Sequence, residues 1–230
     1  MPGPIALVGS GEYLPVMLET ERLLLEGRPP RYVQIPTAAG PEGDDSLNRW
    51  VDLGVAQAER LGVEAVPVVA RDRAECDDPA LAAQVAGAGL VYLSGGNPPY
   101  LASTMRGTAL WQAVLDAWQS GAALAGCSAG AMALTSWVPS IRDAEAAPDP
   151  GLGVVTDLRV IPHFDRMSAW LPDLGARYLA AGGAPVVGID EDTALVRFDE
   201  DWVVHGRQSV WLLTGEGRQQ FRAGETLRLA

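Results

Sequence analysis

Ala122-Ala123-Leu124-Ala125-Gly126-Cys127-Ser128-Ala129-Gly130-Ala131 is the stretch on which the reading of this chain turns. Four apolar residues, read as a buried strand, run without a break into Gly-Cys-Ser-Ala-Gly, and small helix-compatible residues follow. A sharp turn from strand to helix lifts the residue at its apex out of the sheet. The small flanking residues leave room for such a turn. A hydroxyl at the apex is exposed, and the next backbone N–H, that of Ala129, points at the same spot. Serine is a poor nucleophile until a base takes its proton, so the pentad predicts an elbow with the nucleophile of a hydrolase at Ser128. The competing reading is an ordinary glycine-rich helix start with a serine cap. Cys127 is one residue out of frame for the elbow and reads as a small buried hydrophobe rather than a thiol nucleophile.

Outward from the elbow, strand and helix patterns alternate. Ile5 to Val8 is an apolar run followed by the turn Gly9-Ser10-Gly11. Residues 16–26 read as a helix and Tyr32 to Pro36 as a second strand. Ser46 is placed as the cap of a helix whose apolar face is Leu47, Trp50, Val51, Val55, Ala58 and Leu61, with Gly62 ending it. Val63 to Ala70 is a third strand, where Pro67 points to a sheet edge. Residues 79–87 form a weaker helix. Leu90 to Ser94 is a strand running into Gly95-Gly96-Asn97-Pro98. Leu110, Ala113, Val114, Ala117 and Trp118 share one helical face, stopped by Gly121.

Such alternation implies a parallel sheet covered on both faces. The predicted fold class is α/β, a three-layer α/β/α arrangement with a mainly parallel, flavodoxin-like sheet. Ala194 to Phe198, Trp202 to His205 and Val210 to Leu213 read as short strands of a small C-terminal β extension. Pro148-Asp149-Pro150-Gly151 is a surface loop, too short for a domain linker, so residues 1–230 are read as a single domain. Functional residues of such sheets gather at the carboxyl ends of the strands, where Gly9-Ser10-Gly11, Gly95-Gly96-Asn97 and Ser128 all fall.

Composition narrows the function. The 230 residues are 48% hydrophobic, enough for a sizeable core, yet no stretch approaches a membrane span. Met1-Pro2-Gly3-Pro4 leads straight into a strand, with no signal-peptide pattern, and two cysteines make no disulfide framework, so a reduced cytoplasm is the expected compartment. A net charge of −12 disfavours nucleic acid. The expected partner is a small peptide substrate, with no membrane; a homodimer stays open.

The chain has only two histidines, which limits the base to His163 or His205. His163, in Val160-Ile161-Pro162-His163-Phe164-Asp165-Arg166, follows an apolar strand and is preferred. His205 lies inside a strand of the tail. An acid should orient the imidazole; the candidates are Asp143 and Glu145, which are favoured, then Asp165 and Glu191. Gly96 is the second candidate oxyanion donor beside Ala129. A substrate carboxylate needs a cation, for which Arg166 and Arg142 are candidates, with Asn97 the further candidate for substrate binding. Gly9-Ser10-Gly11 lacks the third glycine of a dinucleotide fingerprint and reads as a turn near the substrate. The chemistry requires no metal or cofactor.

Gly95-Gly96-Asn97, Gly126-Cys127-Ser128-Ala129-Gly130-Ala131, Gly151-Leu152-Gly153, Pro162-His163-Phe164 and Gly188-Ile189-Asp190-Glu191-Asp192-Thr193-Ala194 occur in this order over roughly residues 5–215. Together they resemble the peptidase E and cyanophycinase family, serine peptidases on the fold of class I glutamine amidotransferases. The resemblance implies Ser128 as nucleophile, His163 as base and an acid on or near Asp143 or Glu145. It implies small or unusual peptides as substrates, such as aspartyl dipeptides or β-linked aspartyl-arginine units. Cyanophycinases follow the histidine with a more basic run, where this chain has Arg166 alone. Two other readings are an α/β-hydrolase esterase using Ser128, Asp192 and His205, and a catalytically silent binding protein on the same fold.

Overall fold

The computed structural model of the chain describes residues 1–139, 147–170 and 173–229. The strands are β1 (Ile5–Val8), β2 (Arg31–Ile35), β3 (Glu64–Pro67), β4 (Leu90–Leu93), β5 (Ala123–Cys127), β6 (Trp137–Val138) and β7 (Asp149–Pro150). They continue with β8 (Arg159–Ile161), β9 (Val186–Ile189), β10 (Thr193–Phe198), β11 (Asp201–Gly206), β12 (Ser209–Thr214), β13 (Gly217–Arg222) and β14 (Thr226–Leu227). The helices are α1 (Leu18–Leu25), α2 (Asp44–Leu61), α3 (Arg73–Cys76), α4 (Pro79–Ala83), α5 (Pro98–Met105), α6 (Ala109–Gln119), α7 (Ala129–Leu134), α8 (Phe164–Trp170) and α9 (Leu174–Ala180).

The main sheet has eight strands in the order β14-β11-β10-β1-β5-β4-β2-β3. β1 to β5 run parallel, and β10, β11 and β14 add an antiparallel flank. The central strands are apolar on both faces because helices cover both. Successive side chains alternate between faces. Leu7, Val33, Ile35, Val91 and Leu93 join Leu101, Leu110 and Val114 in one buried cluster, while Ala6, Val8, Tyr32, Tyr92 and Ala125 join Leu24 and Ala58 in another. That is the predicted three-layer α/β arrangement. Among the described residues no helix is long and apolar enough to cross a membrane.

β3 is the edge strand that Pro67 foretold, though shorter than the predicted Val63–Ala70. Ser46 does not cap α2. The cap position is three residues earlier, at Gly43 with φ 93, and the Ser46 hydroxyl instead donates to Glu42 Oε2 at 2.6 Å. Gly62 ends the helix as expected, in the left-handed conformation at φ 73. The weak helix predicted at 79–87 is the shorter α4, capped by Asp78, and an additional short helix, α3, capped by Asp72, precedes it.

The tail forms strands as expected, but they divide between two sheets. β10 and β11 extend the main sheet, whereas β12 leaves it for a second sheet ordered β13-β12-β9-β8. In that sheet β8 and β9 are parallel neighbours, with Ile161 opposite Gly188. Their carboxyl ends therefore lie side by side, and His163 and Glu191 each follow those ends by two residues. Gly188 lets Phe164, the residue after His163, pack on β9, since a Cβ there would lie 2.3 Å from the Phe164 ring.

Candidate active site

Ser128 stands between β5 and α7 with φ 48 and ψ −106, a conformation that side chains avoid. His163 also holds a positive φ, at 47. Such backbone costs on the order of 1–3 kcal/mol per residue and persists only where surrounding structure fixes it. The fixing contacts are visible. Ser128 N–H donates to Val8 O at 2.9 Å, and His163 N–H donates to Gly9 O at 3.3 Å. Serine and histidine are thus hung on successive carbonyls at the end of β1. The two pentad glycines are needed because backbones meet there. A Cβ on Gly126 would lie 2.5 Å from Gly130 C, and one on Gly130 would lie 2.4 Å from Leu93 O.

His163 Nε2 lies 2.9 Å from Ser128 Oγ, and its Nδ1 lies 3.1 Å from Glu191 Oε1. The three side chains form a hydrogen-bonded line. Glu191 is itself pinned: its N–H donates to Asp165 Oδ1 at 3.0 Å, and its carbonyl accepts from Thr193 Oγ1 and Gln208 Nε2, both at 3.0 Å. Neighbouring Asp190 ties the end of β9 to β12, accepting from Ser209 N–H at 3.2 Å and Trp211 Nε1 at 3.0 Å. Burial raises the Asp190 carboxyl above its ordinary range.

The structure brings Ser128, His163, Gly96 and Ala129 to the same edge of the sheet. Among the described residues, neither the Gly96 nor the Ala129 N–H donates to a protein acceptor. Six other candidates fare differently. Asp143, Glu145 and Arg142 lie outside the described residues, and the carboxylate found at His163 Nδ1 is Glu191, which the sequence reading ranked behind them. Asn97 is a helix cap: its Oδ1 accepts from Tyr100 N–H at 3.0 Å, which engages that oxygen in the fold. Arg166 stands beside the site, but its Nε lies 2.8 Å from Glu191 Oε2. Asp165 holds the Glu191 backbone rather than the imidazole.

His205 has no part in this line. It sits on β11 beside a separate cavity of about 380 Å³ shared with Glu19 and Arg207, and burial lowers its pKa. Asp192 pairs with Arg207 at 3.4 Å. The esterase arrangement of Ser128, Asp192 and His205 is therefore not assembled. Cys127 is fully buried, and burial first, then the charge of Glu12, pushes its thiol well above the usual range. A thiol in that state is a hydrophobe with a weak donor, as read from the sequence.

A parallel α/β sheet with a Ser–His–Glu line at its carboxyl edge defines the class to which comparison can be made. The chain belongs to peptidase family S51, whose model matches residues 5–204. Cyanophycinases of Trichormus variabilis and of a Nostoc species are each 27% identical to it over 168 residues, 67% of this chain and 55% of theirs. The chain thus spans about half the length of the curated relatives it matches. The crystal structure of a peptidase from an acI-B1 actinobacterium superposes with a TM-score of 0.92 at 43% identity, covering 99% of this chain and 97% of the other. A candidate peptidase E protein from Listeria monocytogenes EGD-e shares the fold, with a TM-score of 0.65 at 19% identity, covering 90% of this chain and all of the other.

Proposed function

We propose that this chain is a serine peptidase that hydrolyses small or unusual peptides through an acyl-enzyme on Ser128. The observation that carries the reading is the line Ser128 Oγ–His163 Nε2–Glu191 Oε1, at 2.9 and 3.1 Å across the two ring nitrogens. In this reading His163 Nε2 accepts the Ser128 hydroxyl proton as Oγ attacks the scissile carbonyl. The Nδ1–H donates to Glu191, which fixes the tautomer and stabilises the imidazolium. The N–H groups of Gly96 and Ala129 take the oxyanion. The imidazolium then gives its proton to the leaving amine, which departs with one half of the peptide. A water deprotonated by the same ring attacks the ester, and Ser128 recovers its proton as the acid leaves.

Membership of family S51 and the likeness to the actinobacterial peptidase support the reaction class. Substrates of the aspartyl-dipeptide or cyanophycin type follow from kinship alone. A fluorophosphonate probe tests the reading: it should label the chain once, on Ser128, and Ser128→Ala should abolish the label. A screen of dipeptides varied at both ends, β-aspartyl and free-carboxylate series included, then identifies the substrate. No label and no turnover across that screen would leave the fold without this activity.

A further inference from the structure

Glu12 is the buried carboxylate for which the serine–histidine line has no use. It is 8% exposed, in the turn after β1, and both of its oxygens are engaged. Oε1 accepts from Gly95 N–H at 3.0 Å, and Oε2 lies 2.8 Å from Cys127 Sγ. These partners are not neighbours in sequence. Gly95 immediately precedes Gly96, and Cys127 immediately precedes Ser128. One carboxylate therefore grips the residue before a candidate oxyanion donor and the residue before the nucleophile.

The amides of the turn after β4 show what this grip does. Ser94 N–H donates to Ile35 O at 3.2 Å, Gly95 N–H to Glu12, and Asn97 N–H to Ala38 O at 2.8 Å. Among the described residues, Gly96 N–H is the one amide of the four without a protein acceptor. Gly96 holds φ 138, and a Cβ on it would lie 2.5 Å from Ala38 C, so the turn runs tight against Ala38 and needs glycine there. If Gly95 lost its acceptor, the peptide planes around Gly96 could rotate, because glycine has little steric preference for one orientation. Space agrees with this. A Cβ on Gly95 would lie 2.6 Å from Glu12 Oε1 and 3.7 Å from Ser128 Cβ, so only glycine admits the carboxylate there. The Cys127 thiol keeps its proton and donates to Oε2, which holds the second oxygen in place.

We propose that Glu12 is a positioning residue for the oxyanion hole: its carboxylate ties Gly95 to the elbow strand at Cys127 and so holds the Gly96 N–H toward Ser128. This rests on the reading of Ser128 and Gly96 given above. An unsatisfied buried N–H also costs stability, so a merely structural role must be told apart from positioning by kinetics.

The test compares kcat, KM and the rate of fluorophosphonate labelling at Ser128 for the unaltered chain, Glu12→Ala and Glu12→Gln. Loss of an oriented oxyanion donor costs roughly 10²–10³-fold in rate, so Glu12→Ala should lower kcat and the labelling rate by about that factor while KM holds. Glu12→Gln keeps an oxygen on Gly95 and should stay within about tenfold of the unaltered rate, losing only the charge-assisted part of the bond. If the unaltered chain is not labelled at Ser128, the serine-peptidase reading falls and this proposal with it. If it is labelled, and Glu12→Ala matches it in kcat and labelling, the Glu12 proposal alone is overturned. Equal damage in Glu12→Gln and Glu12→Ala overturns it too, since the acceptor would then not be what matters. Should Glu12→Ala not fold, Gly95→Ala displaces the carboxylate directly; it should lower kcat at constant KM, and an unchanged kcat would overturn the proposal.

Discussion

Arg166 Nε lies 2.8 Å from Glu191 Oε2, on the carboxylate whose other oxygen meets the histidine of the serine–histidine pair. Glu191 thus faces a cation on one side and, in the proposed mechanism, a transient one on the other. A carboxylate that orients a histidine also stabilises the charged ring, and removing only its charge leaves geometry while losing the tautomer. Glu191→Gln should therefore lower kcat by about 10³–10⁴-fold with little change in KM, by analogy with the corresponding change in a serine protease triad. Steady-state kinetics on any cleaved dipeptide checks this. A loss of less than tenfold would return the acid role to the Asp143–Glu145 stretch.

Arg166 was read from sequence as a receptor for a substrate carboxylate, and its pairing with Glu191 changes what its removal should do. Its side chain is 62% exposed, so the pair contributes at most about 1 kcal/mol. Arg166→Ala should accordingly lower kcat by roughly fivefold, equally on peptides with free and amidated carboxylates, and leave KM nearly unchanged. A rise in KM confined to free-carboxylate peptides would instead restore the substrate-binding role.

Cys127 and Ser128 are adjacent, so the frame of the elbow can be tested directly. Ser128→Ala should reduce kcat by about 10⁴–10⁶-fold, as loss of a triad nucleophile does. Cys127→Ser keeps a donor for Glu12 Oε2 and should retain most activity. Abolition by the cysteine change with survival of the serine change would mean that the thiol is the nucleophile.

The serine and the histidine were legible because each follows an apolar run that can only be a buried strand, and strand ends are where such sheets keep their chemistry. Glu191 follows such a run too, at Val186–Ile189, yet a strand end does not reveal its neighbour. Only the pairing of β8 with β9 puts Glu191 beside His163, and that pairing joins residues 27 positions apart whose contact no local pattern encodes. Nothing in Gly9-Ser10-Gly11-Glu12 marks Glu12 as the partner of Gly95 and Cys127, 83 and 115 positions away. The same limit explains β12: its sequence fixes a strand, while the choice between two sheets depends on which edge is free. Ser46 is a failure of the local kind, because Gly43 with Asp44 and Asp45 supplies an equally good helix start three residues upstream.

Glu21 offers a test of stability against pH. It lies on α1, 1% exposed, with Oε2 accepting from Gln57 Nε2 at 2.9 Å. Burial outweighs the Gln57 hydrogen bond and the Arg60 charge and raises its carboxyl to about 8 from an ordinary 4.5. Between those values the folded chain holds a proton that the unfolded chain has released. Stability therefore declines as pH rises through that window, by up to about 1.4 kcal/mol per unit, and levels off above the folded value. The contribution is fully present below the unfolded value. Urea unfolding of the unaltered chain and of Glu21→Gln, measured from pH 5 to pH 9, should show the difference between them shifting steadily in favour of the variant up to about pH 8 and then holding constant. Parallel curves for the two proteins would mean that Glu21 titrates alike in both states, and that its buried carboxylate is ionised and compensated at neutral pH.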